Sequence, residues 1–184
     1  MKRYLLVGFL LAALGIALAG RLIPHLPNFT PVGALALFAG IYLARKSRWA
    51  LLLPLAVMFL TDLVIGFYDV KLMLVVYGSF LFYGVFGLLI KDKNNVGTIA
   101  LATLAGGLLF YLVTNFAVWA FSPLYPLTLQ GLMLSYAMAL PFLKYTLLGD
   151  LFFIGVFVGA YELVVHFARQ RVFKLSLAKL FIRN

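Results

Sequence analysis

Asp62, Asn115 and Asp150 are polar side chains inside long apolar runs of this chain. An ionisable group within such a run is costly and usually marks a solute or ion site. Arg21, His25, Asn28 and Lys144 fall in the short segments between runs, and Tyr77 and Trp119 add aromatic groups at similar positions. Two carboxylates with cationic, amide and aromatic groups suit a binding pocket for a small molecule. They make a poor catalytic set. Asp62 and Asp150 are the residue type for acid–base work, but nothing supplies a nucleophile. There is no cysteine, no G-x-x-x-x-G-K-[ST] phosphate loop and no G-x-S-x-G turn, and Gly78 and Ser79 stand without one. His25 and His166 fall on opposite sides of the reading below and cannot share a metal. No catalytic residue, metal or cofactor is expected, although a small membrane enzyme stays open as a reading.

The elements that position these residues are membrane helices. The chain has 184 residues, of which 65% are hydrophobic and 11% charged, and its mean hydropathy is +1.10. A soluble domain is about 45–50% apolar and about 25% charged. Lipid must therefore be the main solvent, which excludes a cytosolic enzyme and a nucleic-acid-binding domain. A helix crosses the hydrocarbon core in about 20 apolar residues. Six spans are read, over 4–20, 29–44, 49–66, 72–90, 96–121 and 145–167. The uncharged segment 127–143 follows Pro123 and Pro126 and is read as interfacial or re-entrant. The N-terminal run resembles a signal peptide but is read as a retained helix.

The net charge of +10 is distributed as membrane topology demands. Twelve basic residues (Lys2, Arg3, Arg45, Lys46, Arg48, Lys91, Lys93, Arg169, Arg171, Lys174, Lys179, Arg183) fall on one side, and Arg21, Lys71 and Lys144 on the other. Cytoplasmic loops carry the excess of Lys and Arg, so both termini are placed inside. The expected architecture is an all-α membrane protein: a six-helix domain over 1–167 and a basic amphipathic cytoplasmic tail over 168–184.

On this reading Asp62, Asn115 and Asp150 each lie roughly 6–9 Å from the outer end of a helix, at 1.5 Å per residue. Apart from Glu162 and His166 near the exit of the last span, the inner halves hold little that is polar beyond Ser and Thr. Segment 21–31 carries Pro24, Pro27 and Pro31 and is stiff enough to cover the site as a lid. The expected site is an outward-facing pocket of Arg21, His25, Asn28, Asp62, Tyr77, Asn115, Trp119, Lys144 and Asp150. The competing expectation is that Asp62 and Asp150 pair with Arg21, Lys71 or Lys144 to fix the fold. The first helix carries small residues on two faces, Ala13 and Ala17 on one, Gly8, Ala12, Gly15 and Ala19 on the other. Small faces permit close helix approach in lipid.

Five segments are distinctive: RLIPHLPNFTPVGA at 21–34, LTDLVIGF at 60–67, YGSF at 77–80, TNFAVW at 114–119 and TLLGD at 146–150. Together they resemble an uncharacterised family of bacterial proteins held to be transporters, over about residues 5–165. That family in turn resembles the substrate-binding S components of energy-coupling factor (ECF) transporters. The resemblance implies a six-helix protein that captures a vitamin or related micronutrient at the outer face of the plasma membrane. It implies a partner, an energy-coupling membrane subunit driven by two ATPases, docked through the Ala-x-x-x-Ala pair Ala13 and Ala17. An H⁺- or Na⁺-coupled secondary transporter is the other reading, with Asp62 or Asp150 as the coupling group.

Overall fold

The computed structural model describes residues 3–24 and 26–182. Those residues form six α-helices and contain no strand. They are α1 (Arg3–Leu22), α2 (Val32–Phe38), α3 (Leu53–Ile65), α4 (Val70–Ile90), α5 (Val96–Phe121) and α6 (Leu129–Ile182). A π-helical turn, Ala39–Leu43, extends α2, and a 3₁₀ turn, Arg48–Leu52, leads into α3. Four stretches are long and apolar enough to cross a membrane: Arg48–Ile65, α4, α5 and Leu129–Ala168 within α6. The outer surface is apolar as well. Leu11, Leu74, Leu101 and Leu163 are all more than half exposed, which suits lipid and would be a liability in water.

The helix α2 with its π turn is the centre of the packing. Val32–Phe38 is buried at every position, and Ala39, Gly40, Ile41 and Leu43 continue the burial. A helix that is apolar all round belongs in a core. Pro31 precedes it and lacks an N–H, and the run Arg45, Lys46, Ser47 follows it. Its twelve residues, Val32–Leu43, span roughly 18 Å, short of the ~30 Å hydrocarbon core. It therefore occupies only one end of the bundle, where Arg45 meets Asp92 at 3.1 Å. The other end holds the C-termini of α1, α3 and α5.

Glycines set how closely α2 meets α4. A Cβ on Gly87 would lie 2.9 Å from the Gly40 Cα and the Ile41 nitrogen. Both obstacles are backbone and cannot swing aside. We expect Gly87→Ala to destabilise the protein by at least about 1–3 kcal/mol, the usual cost of overpacking. Gly78→Ala meets nothing within 4 Å and should be neutral or gain up to about 1 kcal/mol of helix propensity. Thermal unfolding in detergent compares the two. Equal midpoints would contradict the packing described.

Two expectations are corrected here. The segment 127–143 is neither re-entrant nor separate from the last helix, because from Leu129 onward it is the first part of α6. Pro141 lies inside that helix, and hydrogen bonds tie the preceding turns to α5. Tyr111 donates to the Tyr136 carbonyl at 2.7 Å, Tyr136 to the Leu112 carbonyl at 2.9 Å, and Ser135 to the Asn115 carbonyl at 3.0 Å. The tail after residue 167 continues α6 without a break as far as Ile182. Whether its faces are amphipathic lies outside the described side chains. The second correction concerns Ala13 and Ala17, which are 2% and 0% exposed and belong to the core with Phe9, Val57 and Met58. The face left open on α1 is that of Gly8, Ala12 and Gly15.

Candidate functional site

Asp150 sits on α6 opposite Gly107, near the middle of the 26-residue α5. It is 3% exposed. The Tyr83 hydroxyl of α4 donates to Asp150 Oδ2 at 2.5 Å, and the Ala34 backbone N–H at the start of α2 donates as well. Three glycines make room for this arrangement. A Cβ on Gly33 would stand 2.5 Å from Asp150 Oδ1, and one on Gly106 would stand 2.5 Å from the Tyr83 ring. A Cβ on Gly107 would strike the Leu147 side chain that packs beside them. A carboxylate facing a helix N-terminus is favourably placed, so part of what Asp150 does is to hold α2 in register.

Asp62 forms a second polar cluster. It is 1% exposed, pairs with Arg21 at 2.9 Å and accepts from the Tyr77 hydroxyl at 2.7 Å. Tyr77 and Tyr83 are six positions apart on α4, roughly 9 Å along the axis. The two carboxylates therefore do not share one depth, contrary to the expectation, because α6 starts much earlier than Tyr145. The competing expectation holds for Asp62, whose partner is Arg21. Asp150 has no cation partner among the described residues.

Between the two clusters lies a cavity of about 230 Å³ lined by Arg21, Asn28, Thr30, Tyr68, Tyr83 and Asp150 among polar groups. Val32, Met58, Val76, Phe80 and Phe110 supply its apolar wall. A second chamber of about 250 Å³ adjoins it, lined by Tyr111, Thr114, Asn115, Phe142 and Leu143. Asn28, Phe110 and Thr146 belong to both. Toward α2 the bundle is filled by the buried side chains of that helix. At the other end Tyr68 lies in the turn between α3 and α4, where burial, and then the charge of Asp62, raise its phenol above the ordinary value. It keeps its proton and stays a hydrogen-bond donor.

Segment 26–31 is a wall of this cavity rather than a lid above it. The Phe29 backbone packs against Gly149, where a Cβ would lie 3.1 Å from the Phe29 Cα. The Phe29 ring reaches Phe153 at 5.5 Å. Asn28 takes φ 62°, a left-handed conformation that Asn tolerates better than most residues. The stiff proline-rich sequence thus carries non-helical backbone down to the level of Asp150.

Of the expected site residues, the structure brings Arg21, Asn28 and Asp150 to the first chamber and Asn115 to the second. Asp62 and Tyr77 stand behind Arg21 as its support. Trp119 is turned away: its indole N–H donates to the Pro126 carbonyl at 3.0 Å and ties down the α5–α6 turn. Lys144 lies within α6, not in a loop, and is exposed beside Tyr145. His25 lies outside the described residues. Tyr83, Tyr68, Thr30 and Thr146 were missed. The adjacent Gly106 and Gly107 in an apolar helix were the signal that something large packs there.

Because Asp62 supports Arg21, Asp62→Asn is expected to cost about 1.5–3 kcal/mol of stability, the range for hydrogen bonds to a charged group. A double-mutant cycle with Arg21→Met in thermal unfolding measures it. Additive single effects would show that the pair is not coupled.

No curated protein and no solved structure matches the chain. A family model described as a family of unknown function, DUF6580, matches residues 2–174. That match covers nearly the whole bundle, including every residue of both chambers, and the chain accordingly belongs to the DUF6580 family.

Proposed function

We propose that this protein is a membrane-embedded substrate-binding subunit that captures a small molecule from the outer side, in the manner of an ECF S component. The carrying observation is non-helical backbone packed inside an apolar bundle, lining a cavity whose floor is a buried carboxylate. Irregular backbone at membrane depth is tolerated where it is buried in protein or lines a cavity, and discontinuous helices of this kind form transporter binding sites. On this proposal all six helices enter the bilayer of the plasma (inner) membrane. Both termini are cytoplasmic, because Arg45, Lys46, Arg48, Lys91 and Lys93 gather at the α2 end. The cavity then lies toward the outer side. With Ala13 and Ala17 buried, the face of α1 left for an energy-coupling subunit is Gly8, Ala12 and Gly15. Native mass spectrometry of the gently purified protein tests the binding role. We expect one small compound retained at a one-to-one ratio. A protein that arrives empty and stays empty when exposed to a cell metabolite extract would refute it.

One observation favours a second reading. Asp150 is a buried carboxylate with no cation partner among the described residues, which is how a proton- or Na⁺-coupling group in a secondary transporter is placed. Uptake that requires co-expressed ATPases supports the first reading. Uptake that an uncoupler alone abolishes supports the second.

A further inference from the structure

We infer that the first chamber is built for a small organic cation carrying a ring, such as a protonated amine on an aromatic or heteroaromatic group. This rests on the solute-binding reading above and names the class of solute. The charge balance of the cavity is the starting point. Two ionisable side chains of the cation and carboxylate types line it, Arg21 and Asp150. The Arg21 guanidinium is already matched by Asp62 at 2.9 Å. Asp150 is held by a phenol and a backbone N–H, which satisfy its hydrogen bonding but carry no charge. Lys71 and Lys144 are engaged elsewhere, over the rings of Phe121 and Tyr145. Among the described residues no cation is left to match an ionised Asp150, and a ligand cation would supply that match.

The walls point the same way. Phe80 lies 5.2 Å from Phe110 and 6.1 Å from Tyr83, ring centroid to ring centroid. The three rings form a continuous aromatic surface that leads to Asp150. Aromatic faces attract cations, most strongly where water is excluded, and they stack on a ligand ring. Among the described residues, an anion would meet Asp150 with no free cation to offset it. The second chamber continues past Asn28 with uncharged polar groups, Thr114, Asn115 and Tyr111, and would take a neutral hydrogen-bonding tail.

The test uses three probes of nearly equal shape: benzylamine, benzyl alcohol and benzoate. Their binding to the purified full-length protein is measured by isothermal titration calorimetry, with thermal stabilisation as a second readout. We expect benzylamine to bind at least about tenfold more tightly than either other probe, since leaving a buried charge unmatched costs at least that much. Asp150→Asn should remove the preference. Phe110→Leu, which leaves the carboxylate in place, should reduce it by about threefold or more. Tighter binding of benzoate or benzyl alcohol, no binding of benzylamine, or a preference that survives Asp150→Asn would overturn the inference. If a neutral or anionic compound is found retained by the protein, the cation inference fails and the solute-binding reading stands. If no probe binds and nothing is retained, both fail.

Discussion

Asp150→Leu is expected to lower stability by on the order of 3 kcal/mol, while Asp150→Asn leaves the protein folded. Leucine fills a similar volume but accepts nothing. The Tyr83 hydroxyl and the Ala34 N–H would both be left unpaired in a buried setting, at about 1–3 kcal/mol each. Asparagine keeps an acceptor for one of them, and the Tyr83 hydroxyl can rotate to suit the amide. Chemical or thermal unfolding in detergent separates the two variants. The Asn variant also isolates function from fold: its retention of a bound compound should be lost at a midpoint close to the wild type. Unchanged stability in Asp150→Leu would mean that the carboxylate does not hold α2 as described.

The second large effect is at Ala17. A tryptophan there has no space, because the position is 0% exposed and packs into the core shared with Met58 and Val57. Adding even a few methylenes to such a site costs about 1–3 kcal/mol, and an indole is far larger. Ala17→Trp should fail to yield monodisperse protein in fluorescence-detected size-exclusion chromatography. Ala12→Trp, on the exposed face of the same helix, should give a normal peak. This reverses the expectation drawn from the resemblance, in which Ala13 and Ala17 touch a partner and tolerate bulk until docking. A normal peak for Ala17→Trp would restore that expectation.

How far the sequence reaches can be judged from particular residues. The all-helical class and the apolar stretches were legible, because composition and run length alone decide whether a segment can live in lipid. The start of α6 was not. Pro123 and Pro126 do break the chain, but the segment after them was set apart from the last helix, and nothing in one sequence says that Tyr111 and Tyr136 hydroxyls will bridge α5 and α6 along it. That single error placed Asp150 near the outer rim instead of near the middle of the bundle. Asn115 and Asp150 were found because polar groups in apolar runs are conspicuous, and Arg21 and Asn28 because they fall in the short polar segment beside those runs. Tyr83 was passed over because a tyrosine in a membrane helix is unremarkable until its partner is known. Trp119 was misread for the complementary reason: a conspicuous ring near a helix end was engaged by a backbone carbonyl three-dimensionally close to it. Which face of α1 is buried was likewise undecidable, since two small faces fit a neighbour equally well.

The central claim is that the cavity around Asp150 is reached from the outer side of the membrane. The chain contains no cysteine, so one introduced thiol gives an unambiguous signal. Thr146 borders both chambers, and Thr103 is fully buried in the bundle and serves as the unreactive control. With Thr146→Cys, a membrane-impermeant methanethiosulfonate reagent should modify intact cells and leave inside-out vesicles unmodified. Modification of Thr146→Cys from the inner side alone, or from neither side, would contradict the account.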